Sequence, residues 1–309
     1  MAPSSPSSTT APGRRNVRRR SSALGHGPWT PYLYILPAFV VYGAFMLYPL
    51  IRAAQFSLYE WDAISPAVFV GFKNYVDLAS NEELRSAFVH AFVLIYFYSV
   101  LPVVVGLVIA AILNRAAVKG MTFFRTVIFL PQVIAMVVVA IAWTRIYASD
   151  GSLNDLLRIL GLDGVTRAWL GDYTFALPAV GLIGTWVQTG LVTILLLAGM
   201  GRIPRDLYEA ARLDGAGAIW EFLAVTLPAV RGEVAVALTL TIVAALKTFD
   251  LIYMTTRGGP GTSTTVPSYQ VYYQAFQLGQ IGTASAIGVT LTVLIFGINL
   301  IVNRVAEER

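Results

Sequence analysis

Apolar residues run along this chain in long stretches with no alternation between faces, and six of them reach the length needed to cross a bilayer. They cover residues 31–51, 88–113, 126–147, 175–199, 229–254 and 282–303. A lipid-facing barrel strand would be short and would change character at every second residue, whereas these stretches hold Leu, Val, Ile and Ala at every phase. The pattern therefore predicts an all-α integral membrane protein with six transmembrane helices. Pro37, Pro49, Pro102, Pro131 and Pro178, with Gly181, Gly184 and Gly190, fall inside the runs and mark candidate kinks or hinges, although both residue types are common in membrane helices generally. No internal repeat is visible, which weighs against a carrier built from inverted repeats within one chain.

Composition agrees with a lipid environment: 56% of the 309 residues are hydrophobic and 13% charged, about half the charged share of an ordinary soluble domain. Residues 1–28 are rich in Ser, Pro and Arg and cannot bury a core, so they read as a disordered tail. The apolar run that follows is long enough to span and shows no small-residue cleavage pattern, so the tail is expected to stay attached. Its five arginines (Arg14, Arg15, Arg18, Arg19, Arg20) place it on the cytoplasmic side and point to orientation in a membrane, not to nucleic acid.

The loops test that orientation. Acids dominate after the first run (Glu60, Asp62, Asp77, Glu82, Glu83) and the third (Asp150, Asp155, Asp163, Asp172). Cations mark the loop after the second (Arg115, Lys119) and the fourth (Arg202, Arg205, Arg212, Arg231). Both termini are thus expected to be cytoplasmic, with residues 200–228 facing the same side. The domain reading is a tail at 1–28, a first span with an external loop at 29–86, a core at 87–303 and a cytoplasmic C-terminus at 304–309.

Residues 202–228, RIPRDLYEAARLDGAGAIWEFLAVTLP, are too polar to span lipid and too apolar for a plain loop. Asp206 to Leu213 predicts a short amphipathic helix whose Leu207, Ala210, Ala211 and Leu213 cannot all be buried within so small an element, which leaves an apolar face for a partner. Gly215 and Gly217 should end that helix, and a second should begin near Ile219 and close at Pro228. This stretch resembles the signature of the membrane permeases of type I ABC importers: Glu209-Ala210-Ala211, then Asp214-Gly215-Ala216, then Leu227-Pro228. The resemblance implies the importer permease fold and a coupling role for Glu209, Ala210, Ala211, Asp214 and Gly215 in the groove of a separate ATPase subunit. Glu209, at the start of the docked helix, suits a charge-assisted hydrogen bond from a partner arginine; Arg205 and Arg212 are read as bordering lipid headgroups.

Other segments are similar to the carbohydrate branch of that family, the maltose and glycerol-phosphate type permeases: GMTFFRTVIFLPQV at 120–133, GSLNDLL at 151–157 and KTFDLIYMTTRGGPGT at 247–262. The similarity covers most of the chain from about residue 30, most firmly 87–303. It implies transport of a sugar, a di- or oligosaccharide, with ATP and Mg on two partner ATPase subunits and no cofactor on this chain. It also implies a second, distinct permease as heterodimer partner and an extracytoplasmic solute-binding protein.

Lys247 and Asp250 lie in the outer part of the fifth run, where a lone charge costs several kcal/mol, so they should face protein or water and are spaced to pair at i, i+3. They read equally as pathway residues or as a structural ion pair. Trp186, Gln188, Tyr253 and Tyr269 offer rings for sugar faces and an amide for hydroxyls, against the alternative that such aromatics anchor helices at the interface. Gly258 to Gly261 read as an external loop that either lets a binding protein approach or simply turns.

With no cysteine and only His26 and His90, the chain has no evident metal-ligand set. It has no Gly-x-x-x-x-Gly-Lys-Ser/Thr loop to hold ATP phosphates and no recognisable catalytic motif, so no enzymatic activity is expected of it. A self-sufficient secondary carrier or channel remains the alternative, and the cytoplasmic docking segment is the feature that separates the two readings.

Overall fold

The computed structural model describes residues 30–115 and 120–307, so the tail at 1–28, His26 and Lys119 lie outside the described residues. By internal contacts the chain divides into two units, residues 1–50 and 51–309. In the first, the helix Thr30–Tyr42 continues through a π-helical turn, Gly43–Leu47, into the start of Tyr48–Phe56. This first apolar run is helical as expected, and Pro37 sits inside it without ending it. None of its span-length window is buried within the chain.

In the second unit, the second run forms one 34-residue helix over Glu82–Arg115, broken only by a π turn at Tyr96–Val100. It begins six residues before the apolar run because Asn81 caps it: the side-chain oxygen accepts from the backbone N–H groups of Glu83 and Leu84, and Glu82 and Glu83 favour the positive end of the helix. The fourth run is a single 25-residue helix, Ala176–Met200, and the last is Ile281–Glu307. The Ala176–Met200 helix is the most buried of the four long helices, and Glu82–Arg115, Met121–Val133 and Arg231–Leu246 pack against it.

Its glycines hold a reason for that centrality. A Cβ on Gly184 would lie 2.0 Å from the ring of Tyr98, one on Gly181 2.5 Å from Phe97, and one on Gly190 2.3 Å from the carbonyl oxygen of Ile128. These residues let neighbouring helices approach closely within one continuous helix. Pro178 lies in its first turn, where no intrahelical N–H bond is lost. Tyr98 fills the space over Gly184 and shares a hydroxyl hydrogen bond of 3.1 Å with Thr248.

Two runs depart from the expected straight spans. The third is two helices, Met121–Val133 and Met136–Ile146, bent by 94° at Ile134 and Ala135, both of which adopt extended backbone. Pro131 weakens the helix just before the break by removing an N–H donor. The fifth is preceded by Ala218–Ala229, which meets Arg231–Leu246 at 68°. It then ends at Leu246, well short of residue 254, and resumes as Asp250–Thr255 after an irregular turn at 247–249.

The fold is helical throughout except for a two-stranded hairpin, Tyr59–Glu60 with Val68–Phe69, a small exception to the all-α expectation among the described residues. This hairpin and the helix Lys73–Ser80 sit against the start of the last helix: Ile281 N–H donates to the Trp61 carbonyl at 2.9 Å, and buried Asn74 donates to the carbonyls of Ser57 and Tyr59. A second buried asparagine organises the connection after the bent pair. The Asn154 amide donates to the carbonyls of Ala148, Ser149 and Arg167, and its oxygen accepts from the indole N–H of Trp169. Asn154→Ala leaves those buried groups unpaired and is expected to lower stability by about 2–4 kcal/mol. Thermal unfolding in detergent should register this as a clearly lower midpoint.

Candidate functional site

The segment after the Ala176–Met200 helix folds as an arm. Its first element is the nine-residue helix Arg205–Leu213, with Asp206 in its first turn and Arg212 in its last, matching both ends of the helix dipole. The helix ends in a Schellman-type turn: Ala216 N–H bonds the Ala211 carbonyl at 2.9 Å while Gly215 takes φ +81°. Nothing lies within 4 Å of where a Gly215 Cβ would be, so backbone conformation alone calls for glycine there. Gly217, in contrast, is extended and leads into Ala218–Glu221, a π turn at Phe222–Thr226 and Leu227–Ala229. The expected helix–glycine–helix layout is present, with the first helix starting one residue early.

No residue of the Arg205–Leu213 helix is buried. Leu213 is 89% exposed and Leu207 50%, with Ala210 and Glu209 exposed beside them. Four of the five residues assigned to coupling, Glu209, Ala210, Asp214 and Gly215, are thus open to a partner, and Ala211 is half-buried. Glu209 makes no salt bridge among the described residues.

Behind this face is a cavity of about 570 Å³ lined by Asn114, Arg115, Arg205, Tyr208, Arg212 and Glu221, among others. Here Glu221 is buried, and both its oxygens are bonded: Oε1 to Arg212 Nε at 2.9 Å and Oε2 to Arg115 Nη2 at 2.6 Å. The Arg212 hydrogen bond, with the charge of Arg115 nearby, holds the Glu221 carboxyl below its usual range despite the opposing effect of burial. Arg212, read from sequence as a headgroup contact, is therefore engaged inside the arm. Glu221 escaped sequence reasoning and Arg115 entered it only as a cation of the second cytoplasmic loop, although a lone acid in the apolar stretch AIWEFLAVTLP was a usable signal: such a charge is rarely buried without a partner.

The second group of candidates lies at the break in the fifth run. Lys247 and Asp250 are both exposed and no salt bridge joins them, because the helix that would have set them at i, i+3 ends at Leu246, before both. Around the break stand Phe249, Tyr253, Tyr269, Tyr272, Tyr273 and Phe276. Phe249 stacks on Tyr253 with centroids 5.3 Å apart, Tyr253 meets Tyr272 edge-on at 5.2 Å, and Tyr269 stacks on Tyr273 at 6.2 Å. Tyr253 and Tyr269 were anticipated from sequence; the other four were not. Trp186 has Trp143 as its ring neighbour, at 5.6 Å, and stands apart from this aromatic set. Gln188 is buried in the core with its amide oxygen unpaired among the described residues. Gly258 is buried at φ +85°, and a Cβ there would meet Thr265 Oγ1 at 2.8 Å; that glycine serves the turn.

A bundle of membrane-length helices carrying an exposed amphipathic arm defines an integral membrane protein. Comparison with known proteins makes this specific: residues 91–307 match the family of binding-protein-dependent transport system inner membrane components, and the chain belongs to that family. It is an ABC importer permease, a multi-pass protein of the inner membrane. It is 38% identical over 273 residues to a probable ABC transporter permease protein of Bacillus subtilis, YurN, covering 87% of this chain and 93% of the relative. It is 36% identical to the trehalose/maltose transport system permease protein MalF of Thermococcus litoralis, over 90% of this chain and 94% of that one. Among solved structures it is similar to a chain of a bacterial ABC transporter involved in importing the acidic polysaccharide alginate, with a TM-score of 0.78, 25% identity, and coverage of 91% of this chain and 96% of the other.

Proposed function

We propose that this chain forms, with a second and distinct permease, the pathway by which a di- or oligosaccharide crosses the cytoplasmic membrane, driven by ATP hydrolysis on two separate ATPase subunits. An extracytoplasmic solute-binding protein delivers the sugar, and ATP and Mg belong to the ATPase partners. Six spans with both termini cytoplasmic, counting Met121–Val133 with Met136–Ile146 as the third and Arg231–Leu246 with Asp250–Thr255 as the fifth, fit the charge distribution of the loops and support an arm on the ATPase side. Residues 87–303 form the transport core, and 29–86 add the first span and its external loop.

The observation that carries the reading is the Arg205–Leu213 helix, which presents leucines, a small-residue face and a glutamate with no salt bridge among the described residues outward on a short, capped element. A channel or secondary carrier has no use for such a face. ATP binding closes the motor dimer, displaces the arm and shifts the bundle between inward-open and outward-open states. Sugar specificity is supported by the relatives, which include a trehalose/maltose permease. The aromatic set at the 247–249 break, with Lys247 and Asp250 exposed beside it, supplies ring faces and polar groups for a sugar in transit, and Trp186 and Gln188 are assigned to the same pathway.

The test is ATP hydrolysis by the complex reconstituted with its partner subunits, using maltose and trehalose as first probes within a sugar panel. Glu209→Ala is expected to lower stimulation by the loaded binding protein about tenfold, the scale of one lost charge-assisted hydrogen bond, with assembly intact. Unchanged stimulation, or sugar movement by this chain without any ATPase, removes the coupling assignment.

A further inference from the structure

Glu221 is the only buried charged residue among the described residues, and its two bonds reach elements far apart in sequence. Arg115 is the last residue of the long helix Glu82–Arg115, and Arg212 belongs to the Arg205–Leu213 helix. Arg115 Nη2 also donates to the Ala218 carbonyl at 2.9 Å. The network thus gathers the end of the second long helix, the docking helix and the start of the next helix around one carboxylate.

The docking helix needs such an anchor. With none of its residues buried, apolar packing does not fix its angle, and the turn that follows it at Asp214–Gly217 contains two glycines. Its connections to the rest of the arm are polar and directional: Arg212 to Glu221, and a 3.0 Å hydroxyl hydrogen bond between Tyr208 and Thr226. A carboxylate bonded by two guanidinium groups is geometrically demanding, and removing one member of a buried pair leaves an uncompensated charge, so the arrangement resists partial opening.

We propose that Arg115, Glu221 and Arg212 form a clamp of positioning residues that fixes the docking helix to the end of the second long helix, so that the motor's displacement of the arm moves that helix as one body instead of being absorbed at the glycine turn. This rests on the docking reading of residues 205–213. Neither Arg115 nor Glu221 need touch the ATPase for the clamp to act.

The chain lacks cysteine, so introduced pairs can be spin-labelled without background from it. Labels at Asp206→Cys and Val108→Cys, both exposed, report the separation of the docking helix from the second long helix in the full complex with its ATPase subunits. With the native clamp, the distance should stay within about 2 Å between the nucleotide-free and ATP-vanadate states; in Glu221→Gln it should broaden about twofold and become state-dependent. Arg115→Gln, which leaves Glu221 paired with Arg212, should loosen the same distance and serves if Glu221→Gln does not assemble. The clamp is overturned if the native distance already changes by about 5 Å, one helical turn, between states, or if both variants keep the native distribution. A separate pair keeps the two ideas apart: if Leu213→Cys cross-links to the ATPase while the variants remain rigid, only the clamp fails. If it does not cross-link, the docking reading fails and takes the clamp with it.

Discussion

Leu213→Asp is expected to reduce both binding-protein-stimulated ATPase activity and sugar import by at least about thirtyfold while lowering the stability of the isolated permease by no more than about 1 kcal/mol. Leu213 is 89% exposed at the end of the docking helix, so within this chain it has almost nothing to lose. If an ATPase groove covers it, burying that side chain contributes about 1.5–3 kcal/mol, a factor of roughly 10 to 150 in the docking equilibrium. Aspartate forfeits this gain and adds the desolvation of a carboxylate in an apolar groove. It also sets a negative charge at the negative end of the helix, a further cost of about 0.3–1 kcal/mol. Leu213→Met preserves volume and apolarity and should stay within about twofold of the original, since such swaps cost little. Co-purification of the ATPase subunits reads docking directly, and thermal unfolding in detergent reads the permease alone. Aspartate at 213 with full stimulation would show that this face is not the docked one.

Sequence gave access to those features whose physical cause is local. The long apolar runs are demanded by lipid, and the helices appear where the runs do; even the early start at Glu82 has a visible cause in Asn81 and the two acids that follow. The arm was legible for the same reason, since amphipathic spacing from Asp206 to Leu213 and a glycine at 215 are enough to define a short capped helix. The interruption at 134–135 had a signal in Pro131, marked as a candidate kink, but the one at 247–249 had none, because a membrane requires apolar residues whether or not the helix through them is continuous. The i, i+3 pairing open to Lys247 and Asp250, one of the two readings given them, does not form, since it presupposed the helix that ends at Leu246. Gly181, Gly184 and Gly190 were marked as candidate kinks or hinges, against the alternative that such residues are common in membrane helices; the close helix approach they allow depends on Phe97, Tyr98 and Ile128 of other elements, which no local pattern specifies. Glu221 was the recoverable omission, a lone acid in an apolar stretch whose partners lie 9 and 106 residues away.

Gly215→Val should be nearly as damaging as Leu213→Asp, by a different route. Gly215 closes the docking helix at φ +81°, a region where an L residue costs about 1–2 kcal/mol and a β-branched one more. No neighbour lies within 4 Å to clash with the added side chain, so the whole effect is conformational: the turn gives up the left-handed geometry, Ala216 loses its bond to Ala211, and the helix end reorients. A penalty of about 2 kcal/mol or more shifts the population of the docking-competent arm by about thirtyfold, and stimulated hydrolysis should fall accordingly. Gly215→Asn, which tolerates the left-handed region, should retain most activity. Gly217→Ala is the sharper control, because Gly217 already has an extended backbone that any residue adopts, with open space around it. If coupling is lost at 215 with valine, largely kept with asparagine and untouched at 217 with alanine, the requirement is for one backbone conformation at the end of the docking helix. If valine and alanine do equal harm at the two positions, flexibility of the whole turn is what the motor uses, and a fixed docking geometry is ruled out.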